Sequence, residues 1–292
     1  MKKINIGIII LNYNSSKDTI LLVKDIEAQN PIHTHKIVIV DNNSNDGSID
    51  KLNKEFSNND LIDIIQTENN LGYGAGNNYG IKYIKNKYQI EFILVCNPDV
   101  KFNVNIIPDI IATFKINNLI AAVSIQMVNE NNKKQLSAWK LPTLTDDIIL
   151  SISILKKLIK NPIAYSNSLK PQCVDVLQGA FFIIKLKAFN EINGFDEDIF
   201  LYGEERILGH KLKKHGYKLY FLPKLKFTHK VGATINKKFH NKRSKYLILQ
   251  NSRRHYHKKY LKKNWLSLLI FDFFTIIGYI EKLLIDFIKR EN

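Results

Sequence analysis

Apolar runs and helix-spaced segments alternate through the first hundred residues of this 292-residue chain. Ile6–Leu11 is almost wholly apolar and closes on the polar turn Asn12-Tyr13-Asn14-Ser15-Ser16. Residues 17–29 have helical spacing, mixing apolar Ile20, Leu21, Val23 and Ile26 with polar positions such as Lys24. A second run, Lys36–Val40, ends in the polar stretch 41–48, and a helix over 48–56 leads to a third strand, Ile62–Gln66. A glycine-rich turn, 69–76, opens a helix over 77–86, and Phe92–Cys96 is a fourth, continuously apolar run. Such runs suit strands covered on both faces, and their alternation with helices implies βαβ units. The predicted fold class is α/β, a Rossmann-like and mostly parallel sheet with helices on both faces.

Beyond residue 100 the pattern loosens. It predicts a helix over 105–117, a strand over Ala121–Val128, a strand over Val176–Ile184 leading into a short helix, a helix over 205–215 and a strand over Tyr217–Leu222. Residues 129–175 show no clear period and are assigned to acceptor-binding elements. The tail changes character: no Asp or Glu occurs between Glu205 and Asp272, and 265–288 is apolar except at Asp272, Glu281, Lys282 and Asp286. Those charges favour a helix lying in a membrane interface, anchored by Trp265 and the basic run Arg253–Lys263, over one that spans it. Packing on the domain, or on a second subunit as a homodimer, is the alternative. The expected organisation is a domain over 1–235, split at residue 100 into nucleotide-binding and acceptor-binding halves, and a helical C-terminal extension over 236–292.

The formal net charge of +16 calls for an anionic partner: nucleotide phosphate, anionic lipid or nucleic acid. Two cysteines, Cys96 and Cys173, offer no disulfide framework or zinc spacing, so the expected compartment is the reducing cytoplasm. A nucleic-acid binder would interleave aromatics with its basic residues. Tyr246, Tyr256 and Tyr260 do so in part. That reading leaves the polar residues after successive strands unexplained, so no nucleic-acid partner is expected.

Those polar residues are the candidate chemistry. Pro98 cannot join a ladder, so the fourth strand must stop and leave Asn97 and Asp99 at its carboxyl end, the edge where open α/β sheets bind ligands. The turns after the first two strands bring Leu11, Tyr13, Asn14 and Asp41 to the same edge. An aromatic ring, short amides and carboxylates suit a nucleotide, with Asp99 holding Mg²⁺ or Mn²⁺ against a phosphate. Gly72, Gly76 and Asn77 lie in the glycine-rich turn, which lacks the third glycine of a dinucleotide fingerprint but can approach phosphate or ribose. Asp196, Glu204 and Glu205 form a second acidic cluster, from which one carboxylate can act as general base on a sugar hydroxyl. His229 is a candidate metal ligand. Arg253 and Arg254 are candidate phosphate ligands.

In order and spacing these segments resemble the inverting GT-A glycosyltransferases of family 2, especially bacterial rhamnosyltransferase-like members, across roughly residues 5–232. The carriers are Ile10-Leu11-Asn12-Tyr13-Asn14-Ser15, the stretch from Val40-Asp41 to Gly47-Ser48, the stretch from Asn70-Leu71 to Tyr79-Gly80, Asn97-Pro98-Asp99, Gly194-Phe195-Asp196-Glu197, Tyr202-Gly203-Glu204-Glu205 and His229. The resemblance implies that Tyr13, Asn14 and Asp41 hold the nucleotide, that Asn97-Pro98-Asp99 stands for the family's metal-binding Asp-x-Asp with His229 completing the site, that Glu205 is the catalytic base, that Asp196 and Glu204 contact the acceptor or the donor sugar, and that Arg253 and Arg254 reach a phosphate of the donor or of a lipid diphosphate. It implies a dTDP-rhamnose or UDP-sugar donor, a glycan or polyprenyl-diphosphate-linked acceptor, and an enzyme peripheral on the inner face of a bacterial membrane. One departure stands out. The family often writes Glu-Asp-x-Asp-Leu around the base, and here Ile207 replaces the later Asp. A catalytically inactive transferase-like scaffold and a basic nucleic-acid-binding protein are the competing readings.

Overall fold

The apolar runs become the centre of one sheet. A computed structural model describes residues 5–29, 34–158, 169–230 and 242–291. Strands β1 (Asn5–Asn12), β2 (Thr34–Asp41), β3 (Ile62–Gln66) and β4 (Phe92–Cys96) pair in parallel in the order β3-β2-β1-β4. Ile6, Ile8, Ile9 and Ile10 of β1 have no exposed surface. Burying each contributes about 1.5–3 kcal/mol, which fixes β1 as an interior strand.

Alternate side chains feed two cores. Ile6, Ile8 and Ile10 pack with α1 (Ser16–Ala28), α2 (Ser48–Phe56) and α4 (Ile107–Thr113), while Ile9, Val38 and Val40 pack with α3 (Tyr73–Lys87) and, further along, α7 (Leu186–Glu191) and α8 (Glu204–Lys214). Helices thus cover both faces, as the continuous apolar strands require. α3 starts four residues earlier than its spacing predicts. Gly74, Gly76 and Gly80 lie inside it as close-packing positions: a Cβ on Gly80 would stand 2.5 Å from Val40 Cγ2, and one on Gly76 would stand 2.6 Å from Leu11 Cδ1.

The second half adds β5 (Val100–Lys101), β6 (Ile120–Val128), β10 (Phe181–Lys185) and β11 (Lys218–His229), giving the path β3-β2-β1-β4-β10-β6-β11-β5. β8 (Gln172–Val174) pairs with β11 off this path. β10 is antiparallel to both neighbours, so the sheet is mixed but mostly parallel. Two strand predictions need correction. The run 176–184 is broken: β9 (Val176–Leu177) pairs with β7 (Ala138–Trp139) in a separate ribbon, and the chain re-enters the main sheet only at Phe181. β11 extends past Leu222 to His229 because the register shift between Leu222 and Lys226 absorbs Pro223, which has no N–H for the ladder. The helix expected over 105–117 is a 3₁₀ turn, Val104–Ile106, followed by the shorter α4.

Within 129–175 lie α5 (Leu144–Ser151) and α6 (Ser153–Leu158), the first opened by a capping box between Thr143 and Asp146. The C-terminal region is α9 (Lys242–His255), a π-helical turn at Tyr256–Tyr260, and α10 (Trp265–Glu291). One side of α10 packs on α5 and α6, with Leu268 and Phe271 buried. The expected boundary at 235/236 lies outside the described residues.

Asp147 of α5 ties this region down. It has no exposed surface, and around it stand Arg206 of α8 (2.5 Å), Arg253 of α9 (3.3 Å) and His257 of the π-helical turn (3.0 Å). Burial alone would raise the Asp147 pKa, but the Arg206 guanidinium and its companions hold it well below the usual carboxylate range. Its stabilising effect is therefore present above the usual Asp pKa of about 3.9 and is lost as pH falls. Asp147→Asn leaves two guanidiniums uncompensated in the interior and is expected to lower stability by about 3–5 kcal/mol in urea unfolding at neutral pH. A loss below about 1 kcal/mol would mean that the cluster behaves as a solvent-screened surface pair.

Candidate active site

The loops after β1 and β2 are joined side by side. Asn12 pairs with Asp41 in the ladder and Ile10 with Cys96, so the ends of β1, β2 and β4 lie on one edge. Asn12 Nδ2 donates to Asp41 Oδ1 (2.7 Å), and Ser44 donates to the same carboxylate from Oγ (2.6 Å) and from its backbone N–H (3.0 Å). Gln66 Nε2 adds a fourth contact at 3.2 Å. Asp41 is fully buried, and these donors occupy about as many positions as a carboxylate can offer. Its observed work is to shape the edge. Asn14, at φ +50°, exchanges hydrogen bonds with Asn45, and its backbone N–H donates to Ser44 Oγ. Tyr13 and Leu11 stay half-buried on this edge.

Asn42 reaches across to the glycine-rich turn, donating to Asn70 Oδ1 and the Gly72 carbonyl and accepting from the Leu71 N–H. Gly72, at φ +83°, leaves no room for a side chain: a Cβ would stand 2.2 Å from the Phe200 carbonyl oxygen. Asn77 is fully buried, its amide donating to the Tyr73 carbonyl. Gly72, Gly76 and Asn77 therefore act in packing α3 against the sheet and the 195–200 loop.

Asp99 and His229 meet because β5 turns back onto β11. Val100 pairs with His229, and Lys230 N–H donates to the Asp99 carbonyl at 3.1 Å. His229 Nε2 then lies 3.1 Å from Asp99 Oδ1, both residues are buried, and His229 Nδ1 has no partner. A carboxylate beside an imidazole with an orphaned nitrogen is a donor set suited to a divalent cation such as Mn²⁺. A cleft of about 540 Å³ opens beside Asp99, lined also by Asp18, Asp25, Lys101, Glu130 and Lys230.

Gly179 connects this edge to the acid pair. It sits in the break between β9 and β10 that the sequence pattern runs through as strand. The neighbouring Ala180 carbonyl accepts from the Asn97 N–H at 2.9 Å, and the Gly179 carbonyl accepts from the Tyr73 hydroxyl at 2.6 Å. A Cβ on Gly179 would stand 3.0 Å from Glu205 Oε1. The absence of that Cβ lets the half-buried Glu205 lie against the strand break. Tyr202 and Gly203, at φ +69° and +93°, turn the chain into α8 just before Glu204 and Glu205. A tyrosine in that region stores strain of about 1–3 kcal/mol, held here next to the acid pair. Burial pushes the Glu205 pKa up, opposed by nearby backbone N–H groups and the Arg206 guanidinium. Glu204 is raised by burial and then by the Glu205 charge, and its Oε1 has no partner.

Three residues expected at the ligand are engaged within the chain. Arg253 faces Asp147 and Ser151 in the interior, and Arg254 Nε contacts both Asp272 oxygens at 2.9 Å, so both take part in packing the C-terminal helices. Asp196 receives Tyr260 Oη (2.6 Å) and Lys259 Nζ (3.1 Å), with His255 Nε2 at 2.8 Å. Asp196, Asp198 and His255 could group around a metal, but the Lys259 ammonium already stands between the two carboxylates. Ile207 is fully buried with Ile199 and Tyr256, an apolar contact with the π-helical turn where the usual acid would be desolvated. Sequence reasoning missed Tyr73, Gly179, Arg206 and Asp147. Only the capping box Thr143–Asp146, which marks the start of α5, was open to it.

The mixed sheet, its ligand edge and the helical C-terminal region define a GT-A fold. The chain belongs to glycosyl transferase family 2, whose profile matches residues 7–191. The low-salt glycan biosynthesis hexosyltransferase Agl10 of Haloferax volcanii is 28% identical over 201 residues, 69% of this chain and 59% of its own length. The rhamnosyltransferase WbbL of Escherichia coli is 29% identical over 160 residues, 52% of this chain and 58% of its own. A Mycobacterium tuberculosis N-acetylglucosaminyl-diphospho-decaprenol L-rhamnosyltransferase is 24% identical over 205 residues, 66% of each. The chain thus spans about three fifths to two thirds of these relatives. Among solved structures, the mannosyltransferase PcManGT of Pyrobaculum calidifontis, in complex with GDP-Man and Mn²⁺, superposes with a TM-score of 0.59 at 12% identity, covering 90% of this chain and 66% of that one.

In the unfolded chain Glu204 ionises near the usual Glu pKa of about 4.3, whereas in the fold its charged form is disfavoured. Stability that is intact below that pKa is therefore lost as pH rises. Glu204→Gln is expected to remove part of this decline, so its melting temperature should gain on wild type between about pH 5 and about pH 8. A difference between the two proteins that stays constant with pH would show that Glu204 ionises in the fold as it does in water.

Proposed function

We propose that the protein is an inverting glycosyltransferase that moves a sugar from a nucleotide-sugar donor to a hydroxyl of a growing, lipid-linked cell-surface glycan. The observation that carries this is Glu205, a carboxylate raised in pKa and seated against Gly179, one residue from the backbone bond to Asn97. A base with a raised pKa is suited to take a proton from an acceptor hydroxyl near neutral pH. Attack by that hydroxyl on the anomeric carbon, with departure of the nucleoside diphosphate from the opposite side, is one displacement and inverts the centre. Asp99 and His229 would hold Mg²⁺ or Mn²⁺, which when bound supplies positive charge to the leaving diphosphate.

The relatives support the substrate classes. Their names join hexosyl and rhamnosyl transfer with a decaprenol-diphosphate acceptor. On that basis the donor is dTDP-rhamnose or a UDP-sugar, and the acceptor is a polyprenyl-diphosphate-linked precursor of O-antigen, capsule or cell-wall polysaccharide. Such an acceptor places the enzyme at the cytoplasmic face of the membrane.

A thermal-shift panel of dTDP- and UDP-sugars with and without Mn²⁺ tests the donor half. One donor should raise the melting temperature in a metal-dependent way, and Asp99→Ala should abolish the rise. Glu205→Gln should keep that rise while transfer to a polyprenyl-diphosphate sugar falls by about 10²–10⁴-fold. Wild-type turnover in Glu205→Gln would remove Glu205 as the base, and no shift with any donor would remove the nucleotide-sugar reading.

A further inference from the structure

Helix α10 has two unlike sides, and the transfer chemistry uses neither. On the inner side Leu268 and Phe271 are buried, and Gly278 presses on α5, where a Cβ would stand 2.2 Å from the Ser151 carbonyl oxygen. All three charged side chains between Trp265 and Ile285 are bound within the protein. Asp272 takes Arg254, Glu281 accepts the N–H groups of Ser153 and Ile154 at 2.5 and 2.9 Å, and the Lys282 ammonium lies 3.9 Å from the centre of the Tyr246 ring. Three of the four charges that interrupt the apolar pattern in the sequence are thus used to dock the helix, and the side chain of the fourth, Asp286, lies outside the described residues.

As far as Ile285, the last residue of the helix whose side chain is described, the outer side is apolar and uncharged. Leu266, Leu269, Phe273, Ile276 and Ile280 recur at three- and four-residue steps and are 49–61% exposed, with Trp265 72% exposed at the start. At about 1.5 Å per residue the stripe from Trp265 to Ile280 is roughly 22 Å long. An apolar strip of that length left in water marks an interaction surface.

Charge selects the occupant. Lys258, Lys262 and Lys263 are exposed just before α10 begins, and no acidic residue occurs between Glu205 and Asp272. A second copy would bring the same basic collar and the same net charge of +16 against itself. An anionic lipid surface is complementary to both the collar and the stripe. Among the described residues no helix is long and apolar enough to cross a membrane.

We infer that the outer face of α10 lies in the interface of an anionic bilayer, with Trp265 to Leu284 seated among acyl chains and Lys258, Lys262 and Lys263 on lipid phosphates. The inference deepens the lipid-linked acceptor of the proposed function but does not need Glu205 to be the base. It also joins the anchor to the acid pair: α10 packs on α5, and Asp147 of α5 holds Arg206, the residue after Glu205.

Flotation of the full chain with vesicles of phosphatidylcholine alone, or with added phosphatidylglycerol, tests it. Wild type should float with the phosphatidylglycerol vesicles. Reversing the three lysines to Glu should weaken that binding by about a hundredfold or more. The pair Phe273→Glu and Ile276→Glu should abolish it, whereas Ile116→Glu, an exposed position outside the helix, should not. All variants should retain the donor-induced thermal shift, which separates loss of anchoring from loss of the fold or of the nucleotide site. The inference is overturned if wild type stays unbound, or if the Phe273/Ile276 variant floats like wild type. It is equally overturned if those substitutions split a dimer that never floats, which would make the face a self-association surface.

Discussion

A single buried carboxylate sets how the last third of the chain meets the rest. Asp147 is surrounded by groups from three other elements: Arg206 from the helix of the acid pair, Arg253 from α9 and His257 from the π-helical turn. Alone, any of these charges in a dry interior would be expelled or neutralised. The Asp147 carboxylate and the two guanidiniums offset one another only when α5, α8 and α9 are all in place. A buried ion cluster is weak evidence for net stability, because desolvation offsets much of the attraction. Its effect here is one of arrangement: Arg206 is held on one side by Asp147, so Glu204 and Glu205 before it cannot rotate away from the sheet.

The site itself is built from places where regular structure fails. Pro98 ends β4, Pro223 forces a bulge in β11, and the chain leaves one ribbon at Leu177 and joins the main sheet at Phe181. The first break exposes Asp99. The second lets β11 run on until His229 faces it, and the third puts a glycine where Glu205 needs room. The first and third breaks sit at strand ends, where backbone groups are free and side chains can turn toward a ligand, and the second lies inside β11 and shifts its register.

The parallel half of the fold was legible because its strands are unbroken apolar runs and its ligand edge follows from where they end. Asp99 could be named because it follows the end of an apolar strand, whereas His229 and Glu205 were assigned their roles by their place in the ordered set of family-like segments. Less was visible wherever a residue's role depends on a partner far away in sequence. Asp41 reads as a ligand, yet its acceptors are taken by Asn12, Ser44 and Gln66, the nearest of them three residues off. Arg253 and Arg254 read as free cations because local sequence shows no acid near them, while Asp147 and Asp272 reach them through tertiary packing. Gly179 is silent in any periodicity, since only the approach of Glu205 gives it meaning.

The same basic surplus therefore divides into two populations with different physics. Arg206, Arg253 and Arg254 are matched by carboxylates and hold helices together, so salt has little access to the first two of them. Lys258, Lys262 and Lys263 are exposed at the start of α10 with no acidic residue nearby in sequence, and their attraction to an anionic surface is screened as ionic strength rises. The inward acids of α10 follow the same division: Asp272 and Glu281 interrupt the apolar pattern in one dimension and vanish from the outer face in three. A helix that reads from its sequence as too charged to span a bilayer presents, between Trp265 and Ile280, a charge-free stripe once its charges are counted by side rather than by position.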